Sequence, residues 1–411
     1  MRVVITGMGA VTPAGKTPDE LFCRALSGVT TADTITAFDT TDYKCHFACE
    51  VKDFDPTEYD IDGKSARRMD RYCQFAMAAV KGAYDMSGLC RDRLDITRCG
   101  VIFGSGIGGL TTLEEEHAKL LEKGPNRVSP LFIPMMISNI ACGQIAMKYG
   151  FKGTCYATVT ACASSATAIG EAFRHIKDGY ADVVIAGGAE ATITPMALAG
   201  FANMTALTHG TTPDTCSLPF DKRRSGFTMG EGGAALILES YDHAMARGAK
   251  ILGEIVGYGT TSDAYHITAP DPEASGATLA MTGAIREGGI TPDMVDYINA
   301  HGTGTAHNDS SETLAVKKAL GDAAYKVSIS STKGVTGHML GAAGATEAII
   351  TAMALSRGIV PPTANLREPD PELDLDYTPL EPKERDMKYA LTNSLGFGGT
   401  NVSLLLKKFE G

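Results

Sequence analysis

No tryptophan occurs anywhere in the 411 residues, and no cysteine follows Cys216. None of the ten cysteines forms a C-x-x-C pair. That scatter builds neither a zinc ladder nor a disulfide framework, and it points to a reducing, cytoplasmic setting. Cys45, His46 and Cys49 come closest to a metal set, but no second ligand pair follows them, so small buried thiols are the expected role. No uninterrupted apolar run approaches about 18 residues, which leaves no candidate membrane span. The opening MRVVITGMGAVTP has one basic residue and an apolar run broken by Gly7, Gly9 and Pro13. It reads as a first strand entering a loop, not as a secretion signal. Positive charge is also short: 37 Lys and Arg against 48 Asp and Glu give a net charge of −11. An acidic balance repels a phosphate backbone and disfavours nucleic acid as a partner.

What the chain does have is ordinary globular substance, 44% hydrophobic and 21% charged, so a packed core and not disorder is expected. Short β-branched runs bounded by Gly or polar residues (RVVIT, CGVIFG, ADVVIAGG, AALILES, ILGEIVGYG, VDYINAHG, YKVSIS, VSLLLKKF) read as strands. Helical periodicity separates them. Over 64–86, Met69, Cys73, Ala76, Val80 and Ala83 share a face; over 163–178, Ala166, Ile169, Phe173 and Ile176 do. The alternation predicts an α/β architecture with buried, mostly parallel sheet. A new strand opens near residue 250 after EGGAALILESYDHAMARGAK, which suggests two similar halves, 1–248 and 249–411.

Four segments carry candidate chemistry. In VTACASSATAIGEAF a strand ends and a small-residue helix starts at Cys162. Unpaired N–H groups at such a helix start stabilise a thiolate, lower the thiol pKa and accept an oxyanion. A buried cysteine at the start of a core helix fits the segment equally well. In VDYINAHGTGTAHND, His301 follows a strand and precedes a Gly/Thr loop whose Thr303 and Thr305 offer hydroxyls beside a close-approaching backbone; a hydrogen-bonded structural histidine is the alternative. In VSISSTKGVTGHMLGAAGATEAII, His338 again follows a strand, with Lys333 five residues before it. An ammonium there would keep the imidazole neutral and able to donate an N–H to an enolate. In LTNSLGFGGTNVSLLL, Asn393, Phe397, Gly398 and Gly399 precede the last strand in a loop, either a backbone nest for an anion or a hairpin-like turn. One more motif, GSGIGG at 104–109, fits G-x-G-x-x-G but lacks an acidic strand end about 20 residues on, so a dinucleotide site is not expected.

Together, TACASS, NAHGTGT, STKGVTGHMLGAAG and NSLGFGG resemble the β-ketoacyl-[acyl-carrier-protein] synthases, the Cys-His-His condensing enzymes of the thiolase superfamily, and synthase II most of all. The resemblance runs from VVITGMGAVTPAG to NSLGFGGTNVSLLLKKF. Synthase III pairs Cys with His and Asn, and thiolases use a second cysteine, so neither fits as well.

The resemblance implies a five-layer αβαβα thiolase-like fold with duplicated halves, a homodimer, and decarboxylative Claisen condensation in fatty acid elongation. It implies Cys162 as nucleophile, His301 and His338 as the decarboxylation pair, Lys333 as their electrostatic support, and the Cys162 and Phe397 N–H groups as oxyanion hole. Thr303 and Thr305 match positions that contact the phosphopantetheine arm. Ile107, Phe132 and Phe201 match acyl-pocket positions, Phe132 reaching across the dimer and Phe397 gating the pocket. Asn299, Glu312, Asn393 and Ser394 match a monovalent or divalent cation site of some members, structural where it occurs; no other cofactor is implied. The partner implied is acyl-carrier protein, met by Lys64, Arg67, Arg68 and Arg127. With Arg71, the first three fall at i, i+3, i+4 and i+7 of a helix expected from residue 64. Gly304 and His307 replace the family's usual Ser and aromatic, and Leu395 stands where synthase II often has Phe, which leaves chain-length preference open. A ketosynthase of a polyketide or aryl-polyene pathway, a cysteine hydrolase and a non-catalytic partner subunit are the competing readings.

Overall fold

The period-2 alternation of the apolar runs explains the layering of the computed structural model, which describes all residues from 1 to 411. Ten strands make the main sheet: β1 (Val3–Val11), β2 (Cys99–Gly104), β3 (Cys155–Thr158), β4 (Val183–Glu190), β5 (Gly232–Ser240), β6 (Gly253–Ser262), β7 (Tyr297–Asn299), β8 (Ser328–Ser330), β9 (Tyr389–Gly396) and β10 (Thr400–Lys407). Successive side chains enter different cores. On β4, Val184 and Ala186 face the central core, while Val183 and Ile185 face an outer one. On β10, Val402, Leu404 and Leu406 face the central core and Leu405 the other outer one.

Five helices supply the other layers: α1 (Arg71–Ser87), α2 (Ser164–Lys177), α3 (Ser275–Glu287), α4 (Ala306–Leu320) and α5 (Ala343–Arg357). Helix α1 covers β1 and β5 on one outside, and α3 covers β6 and β10 on the other, with α4 against α3. Between the two five-strand halves of the sheet α2 packs on α5. That position explains the small residues of both helices. In α5 every residue from Ala343 to Leu355 is buried, so no polar face remains. The result is the five-layer, duplicated thiolase-like arrangement.

The duplication is explicit in the strand order. The sheet runs β8-β7-β9-β10-β6-β1-β5-β4-β2-β3. Numbered within its own half, each five-strand set has the order 3-2-4-5-1, and the sets join where β1 meets β6 through Val3–Ile255, Val4–Glu254 and Ile5–Gly253. The expectation of mostly parallel sheet is corrected. In each half strands 3, 2 and 4 run parallel, but strands 4, 5 and 1 are antiparallel. Near-continuous apolar strands arise here because helices cover both faces, whatever the direction of pairing. No helix is long and apolar enough to cross a membrane.

Candidate active site

Cys162 lies in the 3-10 turn Ala161–Ala163 that leads from β3 into α2. Ala161 adopts φ +49°, a left-handed conformation that a β-carbon makes costly and that packing must sustain. The strain turns Cys162 into a cavity of about 410 Å³ while keeping it only 8% exposed. His301 and His338 line the same cavity, as do Thr303, Thr305, Ile107, Phe201 and Phe397. Eight of the expected residues therefore share one wall system although they come from segments up to 290 positions apart.

The imidazoles of His301 and His338 lie edge to face, with centroids 5.3 Å apart, and Phe227 packs on His338 at 5.2 Å. Backbone bonds fix both rings in place: His301 N–H donates to Glu312 Oε1 at 2.8 Å, and His338 N–H to the Thr228 carbonyl at 2.7 Å. Burial first, and then the Lys333 charge, hold both histidines well below their ordinary pKa. His338 has both ring nitrogens, and His301 its Nδ1, buried without a protein partner. Those nitrogens are not committed to any protein partner. Lys333 is itself buried and ion-paired with Glu347, whose carboxyl is pushed up to about 7 by burial against the pull of that lysine.

The thiol departs from expectation. Burial pushes Cys162 up to about 12, although Lys333 and the N–H groups of Phe397 and of Cys162 itself oppose the rise. A helix start lowers a thiol pKa only where the thiolate is not otherwise desolvated. Both N–H groups thus act on the sulfur from close by, which makes them a candidate donor pair for the reacting oxygen. The Phe397 segment also corrects the sequence reading. Asn393 sits within β9, and β9 and β10 form a hairpin from Tyr389–Lys407 to Gly396–Thr400, with Phe397, Gly398 and Gly399 as its turn. Hairpin and nest are the same object here. Gly396 is required because a β-carbon there would meet the Thr160 carbonyl at 2.7 Å.

Other expectations divide. Thr303 and Thr305 bring their hydroxyls within 3.0 Å of each other at the cavity. Phe132 begins the short helix Phe132–Met136, half-buried and outside the cavity of a single chain. The proposed cation ligands split across the sheet. Glu312 and Asn393 meet at 3.2 Å on the α3/α4 side, whereas alternation on β7 and β9 turns Asn299 and Ser394 to the central side. Glu312 also accepts the His301 and Gly302 N–H groups, while the Asn299 amide and the Ser394 hydroxyl are buried without a protein partner. No group of three or more His, Cys, Asp or Glu side chains is placed to hold a metal.

The basic helix is likewise corrected. Asp62 caps a four-residue helix, Gly63–Ala66, and Asp70 caps α1 anew at Arg71, so no continuous helix carries the four cations. Arg71 turns inward to Glu231, at 2.7 Å, and over the Phe75 ring. Lys64, Arg67, Arg68 and Arg127 stay exposed with no acidic partner.

Two carboxylates escaped the sequence reading. Glu347 left a faint signal, a lone acid in an apolar helix. Glu190 ends β4 fully buried and accepts from Ser105 Oγ, Gly106 N, Ile107 N and Gly341 N at 2.9, 2.7, 3.2 and 3.0 Å. The GSGIGG loop is thus an anion nest filled by the protein's own carboxylate.

Comparison with known proteins agrees with this architecture. Residues 1–244 match the model of the beta-ketoacyl synthase N-terminal domain, and residues 252–367 that of the C-terminal domain. A 3-oxoacyl-[acyl-carrier-protein] synthase 2 from Synechocystis sp. is 51% identical over all of this chain and 98% of its own. Among solved structures, a beta-ketoacyl synthase from Burkholderia phymatum superposes with TM-score 0.92 at 34% identity, each chain fully covered. A type II polyketide ketosynthase, solved with its acyl-carrier protein, superposes with TM-score 0.93 at 30% identity over 99% of each chain. With both family models matched in order and a half-identical relative along its whole length, the chain belongs to the beta-ketoacyl synthase family.

Proposed function

We propose that this chain is a 3-oxoacyl-[acyl-carrier-protein] synthase of fatty acid elongation, joining an acyl group carried on Cys162 to a malonyl unit with loss of its carboxylate. The observation that carries the reading is the convergence of Cys162, His301 and His338 on one cavity, with the Phe397 and Cys162 N–H groups at the sulfur. Attack of the Cys162 sulfur on an acyl thioester places a negative oxygen between those two donors. The thiol proton leaves with the departing carrier thiol, so the resting thiol need not be ionised, in keeping with its raised pKa. Malonyl thioester then binds, its carboxylate departs as carbon dioxide, or as bicarbonate where a water adds to the carboxylate carbon, and the electron pair moves onto the thioester oxygen. Two neutral imidazoles can donate N–H to that enolate without offering it a proton too readily. The enolate carbon attacks the acyl-Cys162 carbonyl, and the Cys162 thiolate is expelled and takes up one proton from solvent, which restores the thiol. Every step is redox-neutral, so the chemistry calls for no electron-carrying cofactor.

The 51% identity with a synthase 2 favours this reading over a polyketide ketosynthase, to which the solved neighbour is less similar. For partners, the reading adds carrier docking at Lys64, Arg67, Arg68 and Arg127, an unpaired basic patch on an acidic protein. It also adds a homodimer through β3, an edge strand beside exposed Ile133, Met147 and Val159. The deciding experiment mixes the purified protein with acyl- and malonyl-carrier proteins and follows masses. Acylation at Cys162 followed by a 3-oxoacyl product is expected; hydrolysis of the acyl-carrier to free acid would overturn the reading in favour of a hydrolase.

A further inference from the structure

Glu190 is the one fully buried carboxylate bordering the cavity, and no cation pairs with it. Its four donors belong to two separate turns. Three come from Ser105–Ile107, whose Ile107 side chain borders the cavity, and Ser105 Oγ in turn accepts the Gly108 N–H at 3.0 Å. The fourth is Gly341, three residues after His338. The turns touch as well: a β-carbon on Gly341 would lie 2.4 Å from Gly106 N and 2.6 Å from Glu190 Oε2. Only glycine permits this junction, and only an acceptor with four lone-pair sites satisfies it.

The duplicated fold explains why an anion belongs there. Leu340, with φ +45°, and the 3-10 turn Leu340–Ala342 leading into α5 repeat Ala161, with φ +49°, and the turn Ala161–Ala163 leading into α2. Gly341 is therefore the counterpart of Cys162. The fourth strand of the first half ends at Glu190, as that of the second half ends at Gly396, the residue before Phe397. The second half thus has its own anion-accepting turn, and Glu190 fills it.

We propose that Glu190 is a positioning residue that ties the acyl-pocket turn at Ile107 to the turn following His338, so that chain fit and enolate geometry are set together. This rests on the function proposed above. Loss of charge-assisted hydrogen bonds at such a junction moves both half-reactions, although Glu190 touches neither substrate.

The test is Glu190→Gln, which removes the charge and puts an NH₂ group against at least one backbone N–H donor in either amide orientation, measured beside the milder Ser105→Ala. Two half-reactions are assayed separately: acylation across a series of acyl-carrier chain lengths, and malonyl-carrier decarboxylation with no acyl chain present. Expected for Glu190→Gln is a fall of about tenfold or more in decarboxylation together with a flattened chain-length profile, with Ser105→Ala changing both in the same direction by about threefold. If Glu190→Gln fails to fold, Ser105→Ala alone decides by the same two readouts. Either variant keeping a parent-like chain-length profile, or losing only acylation or only decarboxylation, overturns the coupling. A parent protein that never acylates Cys162 overturns the underlying function instead, so the two failures are distinct.

Discussion

The two halves of this molecule fold alike and use the same turn in opposite ways. In the first, the strained turn before α2 carries Cys162 and opens to a cavity. In the second, the matching turn before α5 carries Gly341 and is closed by Glu190. A second pairing repeats the theme. Glu190 accepts from Gly106 and Ile107 after the second strand of one half, and Glu312 accepts from His301 and Gly302 after the second strand of the other. Strand ends and helix starts in this fold collect unpaired N–H groups by construction. Wherever the protein supplies its own carboxylate the groups are structural, and where it supplies none they are free to meet a reacting oxygen.

The largest expected effect breaks that asymmetry at its source. Cys162→Ala leaves both N–H donors and both histidines but removes the sulfur. Acyl transfer and condensation should fall by at least about a thousandfold, while malonyl decarboxylation continues. Intact-mass measurement after exposure to acyl-carrier checks it. Stable acylation of another cysteine in this variant would falsify the assignment of Cys162.

Next in size are His301→Ala and His338→Ala, which disable the second half and spare the first. Each should trap acyl-Cys162 and slow condensation by about a hundredfold or more. Either variant turning over near the parent rate removes that histidine from the mechanism. The same residues carry a pH signature. Burial holds both below the ordinary histidine value of about 6.5, so the unfolded chain binds more protons as pH falls. Their contribution to stability is present above about pH 6.5 and lost below it. Glu347 works the other way: its folded value of about 7 exceeds the unfolded 4.5, so its contribution is present below pH 4.5 and lost as pH rises through about 7. Thermal unfolding between those limits should therefore lose less stability on acidification in His338→Ala than in the parent, and more in Glu347→Gln. Parallel curves for all three would contradict the assigned causes.

The comparison of halves also shows why some of this was readable in advance. Cys162 and His301 follow strand ends by four and two residues and His338 follows one by eight, past the short helix Lys333–Thr336, so local pattern made them candidates and the joint resemblance of their motifs put them in one site. Glu190 was not readable that way. Its partners Ser105 and Gly341 lie 85 and 151 positions away, and GSGIGG advertises affinity for an anion without saying whose. Arg71 misled for a local reason: helical spacing put it in line with Lys64, but Asp62 and Asp70 each start a helix and break the run between them. The raised thiol pKa was hidden too, because a helix start is visible in sequence and desolvation is not.

A smaller effect concerns the wall of the cavity. Ile107 is 41% exposed beside the cavity, in the turn that Glu190 holds. Ile107→Phe should shorten the acyl chains accepted, because overpacking a held turn costs about 1–3 kcal/mol. Kinetics with short and long acyl-carriers test this, and an unchanged ratio removes Ile107 from the pocket.

The smallest effect separates the halves by surface charge. Lys64, Arg67, Arg68 and Arg127 all belong to the nucleophile's half, exposed and unpaired, whereas Arg71 is spent on Glu231. Three of the four crowd into positions 64–68, around the short helix Gly63–Ala66, where like charges repel one another. A cost of that kind persists more readily on a surface that meets an acidic partner than on one that meets only water. Reversing Arg67 and Arg68 to Glu should raise KM for acyl-carrier protein by about three- to tenfold and weaken its salt dependence, since rim charges act mainly on association. Activity on acyl-coenzyme A, which needs no docking surface, should barely change. Lys250→Glu, an exposed cation at the start of the other half, should change neither substrate. If the double reversal slows both substrates equally, the damage is to the fold around α1; if it slows neither, the carrier docks elsewhere.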